Sequence, residues 1–377
     1  MLIKLKPTRT RIFSPNFPTR IKEKPAPHMV AKEPLVTIGI GIFEGNEYVA
    51  SSITSVLLQD YDNLEIIVVD DRGKTNAMQI ATDTIDAFPE KRNIRYIRHP
   101  ENLKTGGVRN TVIDNANGEY IFFMDSDDII TTDCISTLVA ASDNGEADIV
   151  KASFRCVRNN KEKKYYSGVS KSFTFNGTPM IDAFYDNGEE FWGNMTNAIF
   201  RLQFLKDNNI RCVQMKFEDD YFFLLAAMKA MRGAFLSNVT YIRLLHDRSI
   251  MGSMWKNGFS PYDAEQAVDG ISCKYKAIDG WNNAATRTKL LLNTIKQAMQ
   301  YMYRSRNSSQ VSRELYRKLS RILLSYPMLP LSTHIALTKH QRHKLLFYGI
   351  LRRLPLAFRR FVVYQTTFRH YRKIELK

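Results

Sequence analysis

The chain has 377 residues, 44% of them hydrophobic, enough for one large domain with an appendage or for two domains. Its net charge of +16 is uneven, with +6 over residues 1–34, +18 over residues 281–377 and therefore −8 between them, which is not the pattern of a uniformly basic nucleic-acid binder. Four scattered cysteines without a Cys-x-x-Cys pair argue against a disulfide framework or a zinc site and fit a reducing cytosol.

Residues 1–34 are rich in Lys, Arg and Pro, with Pro7, Pro15, Pro18, Pro25, Pro27 and Pro34. We read them as disordered, with Met29 a candidate start and no apolar stretch of the secretory kind. Leu35–Phe43 predicts a first buried strand. Glu47–Leu58 predicts a helix with Val49, Ile53, Val56 and Leu57 on one face. Leu64–Val69 predicts a second strand, ending in Asp70 and Asp71. A helix around Asn76–Ala87, a short strand at Ile94–Ile97 and a helix at Thr105–Asn115 follow. This alternation implies parallel βαβ units in a doubly wound α/β sheet. Beyond the next strand, Asp133–Ser142 predicts a helix, Ala147–Ala152 a strand, Arg155–Phe175 a hairpin or irregular region, and Phe217–Met231 a strong helix. From Thr286 the pattern is helical and basic, interrupted at Pro327 and Pro330. No run approaches the ~18 apolar residues of a membrane span.

Residues 120–128 are the most informative stretch. Tyr120-Ile-Phe-Phe-Met124 suits a buried central strand, and it ends in Asp125, Ser126, Asp127 and Asp128. Such a strand delivers carboxylates to the sheet edge where open α/β folds bind ligands. Carboxylates at i and i+2 can share a hard divalent cation, and a cation there would steady a departing diphosphate.

Four landmarks stand in order along the chain. Asn46-Glu47-Tyr48-Val49 and Ser55-Val56-Leu57-Leu58-Gln59 follow the first strand. Glu65 leads to Asp70-Asp71. Asn102-Leu103, Gly107, Arg109-Asn110, Ala116 and Gly118 lead to Asp125-Ser126-Asp127-Asp128. Glu218-Asp219 comes last, with Phe222 behind it. With them, residues 35–250 resemble the inverting glycosyltransferases of family 2, of the bacterial surface-polysaccharide type. Those enzymes have the GT-A fold and use nucleotide-sugars. The chain departs from the family's usual Pro-x-Tyr-Asn at Gly41-Ile42-Phe43-Glu44, and from its Gly-Ser-x-Asp at Arg72-Gly73-Lys74-Thr75. Both departures fall at the nucleotide pocket.

The resemblance implies roles. Asp71 would accept from a pyrimidine N–H, Phe43 would stack on the base with Glu44 beside it, and Arg109 would face the nucleotide as a fixed cation. Asp127 would hold Mn²⁺ or Mg²⁺, Asp125 would touch the ribose or support the metal, and Asp128 would stand behind them. Asp219 would be the general base, with Glu218 its neighbour. His246 and Arg248, after a strand at Tyr241–Leu245, would meet the diphosphate or the metal. Trp192 would offer its face to an acceptor sugar. The structural alternatives are a helix cap at Asp71, core packing at Phe43 and Trp192, a surface ion pair at Arg109, and dipole stabilisation of the Glu218-Asp219-Asp220 triplet.

The expected organisation is thus a disordered segment 1–34, a GT-A domain 35–280 and a basic helical region 281–377. That last region either packs on the domain or attaches it to the anionic inner face of the cytoplasmic membrane. The expected partners are a UDP-sugar donor and a glycan or lipid-linked glycan acceptor. One rival reading is a nucleotide-sugar-forming nucleotidyltransferase, which needs a Gly-rich, basic loop after strand one. Another is a non-enzymatic peripheral membrane or nucleic-acid-binding protein acting through the basic tail, which needs no carboxylates at three ligand-side positions.

Overall fold

A computed structural model describes residues 33–158, 161–191, 193–247, 249, 257–305, 309–324 and 342–343. The segment read as disordered therefore lies outside the described residues except for its last two, and Trp192, Arg248 and the whole basic stretch 344–373 lie outside them too. Among the described residues no helix is long and apolar enough to cross a membrane.

The first half follows the expected order: β1 (Val36–Ile42), α1 (Asn46–Leu57), β2 (Leu64–Asp70), α2 (Ala77–Asp86), β3 (Asn93–Arg98), α3 (Lys104–Asn115) and β4 (Tyr120–Asp125). β1 runs parallel to β2 and β4, with Ile42 beside Asp70 and Gly41 beside Asp125. The carboxyl ends of all three strands thus share one edge. These strands read as continuous apolar runs because both faces are covered. Ile66 and Val68 join Ile38, Ile40, Val49 and Ile53 on one face, whereas Ile67 and Val69 join Val108, Val112 and Phe123 on the other.

The second half is less regular. It comprises β5 (Ile129–Ile130), α4 (Cys134–Ala140), β6 (Ile149–Arg158), β7 (Lys161–Ser167), β8 (Phe173–Asn176), α5 (Met180–Asp186), β9 (Ala198–Arg201), α6 (Leu202–Asp207), α7 (Glu218–Lys229) and β10 (Arg232–Leu244). The sheet order is β3-β2-β1-β4-β9-β6-β10-β5, with β7 on β6 and β8 on β10. The expected parallel pairing holds through β4. Beyond it, β9 enters antiparallel to both neighbours, and only β6 with β10 is parallel. Of these antiparallel pairs only β6 with β7 is a hairpin, whereas β9 reaches its neighbours β4 and β6 across long stretches of chain.

Three helices follow: α8 (Pro261–Asp279), α9 (Ala284–Arg304) and α10 (Ser309–Leu324). Ser260 and Asp263 close a capping box at the start of α8, with Pro261 at its first position. Ala267 and Ile271 of α8 share an apolar cluster with Ala298 and Tyr301 of α9 and Leu315 and Leu319 of α10.

Candidate active site

Two glycines let α3 approach the sheet. A Cβ at Gly39 would meet Val112 Cγ1 at 2.4 Å, and one at Gly41 would meet Val108 Cγ1 at 2.6 Å. These glycines therefore lie inside β1, beneath a helix. The close seating carries Arg109 to the end of β4. The neighbouring Asn110 exchanges hydrogen bonds with the backbone of Cys212, donating at 2.8 Å and accepting at 2.9 Å, and so ties α3 to the segment that leads into α7.

At the nucleotide end, Asp71 is buried. Its Oδ1 pairs with His99 Nδ1 at 2.7 Å and accepts the Leu103 N–H at 2.8 Å, while His99 Nε2 meets Thr111 Oγ1 at 2.8 Å. Asp71 is thus held rigidly at the strand end. Phe43 is 39% exposed, so its ring is available for stacking rather than absorbed in the core. The departure at Arg72-Gly73 has a steric reason, because a Cβ at Gly73 would lie 1.3 Å from the Phe43 carbonyl oxygen. Only glycine allows this turn to press against the backbone that carries Phe43 and the exposed Glu44.

The acidic cluster is built around two arginines. Arg109 is buried, and its guanidinium donates to Glu218 Oε1 at 2.6 Å and to Asp125 Oδ1 at 3.1 Å. Burial alone would weaken its hold on the proton, but Asp125 and Glu218 raise it above the ordinary value. Burial also pushes Glu218 up, against Arg109 and helped by Asp219. Arg109 was expected to face the nucleotide. It is instead turned inward as a clamp between β4 and α7, because its helix lies flush on the sheet. Glu218 is therefore engaged with Arg109 as well as adjoining Asp219.

Arg243 on β10 is the second cation. Burial opposes its charge, while Asp128, Asp125 and Asp219 raise its proton affinity. Asp128 is buried, accepts from Tyr241 Oη and the Leu244 N–H at 2.8 Å each, and is raised well above the carboxylate range by burial and then by Asp127 and Asp125. It anchors β10 to the acidic loop. Asp219, half-buried in the first turn of α7, makes no side-chain hydrogen bond or ion pair among the described residues. Burial raises its pKa, Arg109 and Arg243 pull it down, and Asp220 and Asp125 push it up. Lys151 on β6 also lies in its field, with its own pKa pushed down to about 7 by burial. Its ammonium donates to the Asn194 and Thr196 carbonyls at 3.0 and 2.6 Å.

Of Asp127, Asp125 and His246, the residues expected at a metal, Asp127 and His246 are brought together. Asp127 Oδ2 and His246 Nε2 are 2.9 Å apart, and the imidazole stacks on Tyr48 at 4.3 Å. Neighbouring ligands of an octahedral cation with bonds near 2.1 Å stand about 3 Å apart, so the pair fits two adjacent positions of such a shell. Among the described residues no three His, Cys, Asp or Glu side chains converge as a closed cage. The Asp125 carboxylate is instead engaged by Arg109.

His99, Arg243 and Lys151 escaped the sequence reading. Each acts on a carboxylate or carbonyl far away in the chain, with no local signature.

The half-parallel α/β sheet, with carboxylates at its ligand edge, has the architecture of the GT-A fold class. Residues 37–208 match the sequence model of Glycosyl transferase family 2. The chain is similar to glycosyltransferase GlyG of Streptococcus pneumoniae serotype 4, 34% identical over 32% of this chain and 39% of GlyG. It is also similar to the putative glycosyltransferase EpsH of Bacillus subtilis, 26% identical over 62% of this chain and 69% of EpsH. The chain thus spans about two fifths of GlyG and about two thirds of EpsH. In three dimensions it resembles residues 1–349 of Staphylococcus aureus TarS, solved with UDP-GlcNAc. The TM-score is 0.62 at 19% identity, over 90% of this chain and 91% of that one, a likeness of fold.

Proposed function

We propose that the chain is an inverting, metal-dependent glycosyltransferase. It moves a hexose or N-acetylhexosamine from a UDP-sugar to a glycan hydroxyl in bacterial lipopolysaccharide or capsule assembly. The carrying observation is Asp219, a half-buried carboxylate without a hydrogen-bonding partner among the described residues, close enough to Asp125 for their charges to interact. An unpaired carboxylate of raised pKa is free to take the acceptor's proton as the hydroxyl attacks the anomeric carbon from the side opposite the diphosphate. The UDP bound to TarS supports the choice of nucleotide.

Each part of the site has a task. Phe43 stacks on the base and Asp71, held by His99, accepts its N–H. Asp127 and His246 would hold Mn²⁺ or Mg²⁺, which when bound neutralises charge on the leaving diphosphate. Arg109 keeps Asp125 and Glu218 in register, so the donor end and the base stay aligned, and positioning of that kind carries much of the rate. The test is UDP release from a panel of UDP-sugars, UDP-GlcNAc first, with Mn²⁺ and after chelation. Turnover should need the metal, and Asp127→Asn should abolish it while leaving the melting temperature near that of the wild type. Near-normal turnover of that variant in Mn²⁺ would refute the metal assignment.

The excess charge of residues 281–377 supports a second part of the proposal, attachment to an anionic membrane surface where lipid-linked acceptors reside. Each cation near such a surface contributes about 1 kcal/mol. The protein should co-sediment with anionic vesicles at low salt and be released as salt rises. Equal binding to neutral vesicles would contradict this.

A further inference from the structure

We propose that the helical region after the catalytic sheet is part of the catalytic apparatus: Lys274 of α8, with Gln297 and Tyr301 of α9, positions the turn that carries the base Asp219. This rests on the reading of Asp219 as general base and adds residues that the family motifs do not contain.

The geometry converges on the first turn of α7 from three sides. Asp220, adjacent to Asp219, is paired with the Lys274 ammonium and accepts from Gln297 Nε2 at 2.6 Å. Gln297 also accepts from Lys274 at 2.8 Å and donates to Tyr301 Oη at 2.9 Å. Lys274 and Asp220 are only 12% and 13% exposed, so the pair works in a largely water-free setting. Directly before the turn, Phe217 has φ of 64°, a left-handed conformation that a bulky aromatic adopts only under constraint. Its ring stacks on Tyr301 at 5.1 Å. On the remaining side, a Cβ at Gly193 would lie 1.6 Å from Asp220 Oδ1. The loop carrying that glycine is itself gripped by α9, since Asn293 donates to the Phe191 carbonyl at 2.6 Å and Lys296 lies 3.6 Å from Glu190.

A salt bridge that served stability alone could sit anywhere on α7. This one is next to the base, and the charge of its Asp220 acts on that base. The groups facing Asp219 are Arg109 on α3, Arg243 on β10, Asp125 at the end of β4 and Lys151 on β6, besides Glu218 and Asp220 on its own helix. Lys274 offsets the negative charge of Asp220, its ion-pair partner.

The test compares the full-length wild type with Lys274→Met, Lys274→Arg and Asp220→Asn. Three readouts are taken: hydrogen–deuterium exchange, UDP affinity by calorimetry, and Mn²⁺-dependent UDP release from UDP-GlcNAc. Lys274→Met should speed exchange of amides 222–224, which close the first turn, by about tenfold. It should lower kcat about tenfold or more and leave the UDP Kd within about twofold. Lys274→Arg should recover kcat. The acid limb of the kcat profile should move to higher pH in Lys274→Met, where the charge of Asp220 is no longer offset. It should move to lower pH in Asp220→Asn, where that charge is gone. Unchanged exchange at 222–224, or limbs that stay in place, or a UDP affinity that falls as far as kcat, would overturn the proposal. A wild-type protein that releases no UDP from UDP-GlcNAc would count against the choice of donor, while the exchange comparison would still decide the positioning role.

Discussion

Replacing Asp219 with Asn should lower turnover by roughly 10²–10⁴-fold, the range for a lost general base, while UDP and Mn²⁺ bind as before. Asn matches Asp in shape, so the first turn of α7 should keep its geometry. What disappears is the one carboxylate of the cluster that is half-buried and not committed to another side chain. Asp125 and Glu218 are tied to Arg109, Asp128 to Tyr241, and Asp220 to Lys274. The pH dependence of the wild type follows from the same environment. The pKa of Asp219 is raised by burial and by Asp220, so kcat should begin to fall at a higher pH than an ordinary aspartate would dictate as the solution is acidified. A variant that lost UDP binding in proportion to its rate would place this residue in the donor site instead.

Arg109→Met should be the most destabilising single change in the site. It leaves two carboxylates, one buried and one partly buried, without their cation, and breaking a buried ion pair from one side costs about 3–5 kcal/mol. The measurement is the urea midpoint at neutral pH. The deficit should shrink as pH falls, because protonation relieves the orphaned Glu218 and Asp125. Adding Glu218→Gln should recover part of the loss, since the two residues are in contact and their effects are coupled. A change below about 1 kcal/mol would assign Arg109 the weak role of a surface pair.

The nucleotide half was legible because its strands are buried on both faces. Runs such as Leu64–Val69 and Tyr120–Met124 announce themselves by composition, and the carboxylates that end them mark the ligand edge without any knowledge of pairing. The second half was opaque for physical reasons. β9 is four residues, Ala-Ile-Phe-Arg, too short for any period to show, yet it joins β4 to β6. β10 extends thirteen residues with pairing irregularities beside β6, and only its end at Tyr241 reads as a strand. Asp127 and His246 were both expected near the diphosphate or its metal, His246 because it follows the strand end at Tyr241–Leu245. His99 was not, because nothing near it in the chain reports that Asp71, 28 positions away, would orient it. Arg109 was found but aimed wrongly, since the side on which a helix meets its sheet depends on Gly39 and Gly41 beneath it.

The place of β9 in the sheet has a consequence for biosynthesis. The outer edge of β4, with its Tyr-Ile-Phe-Phe-Met side chains, waits for a partner that lies more than seventy residues later and is translated only after α5. Until Arg201 has left the ribosome, the nascent chain presents an open, strongly apolar strand edge, the kind that templates association between chains. A fragment ending before Ala198 would retain every landmark of the nucleotide half and keep that edge permanently bare. Such a fragment should collect in inclusion bodies, whereas one extended past β9 has the edge covered.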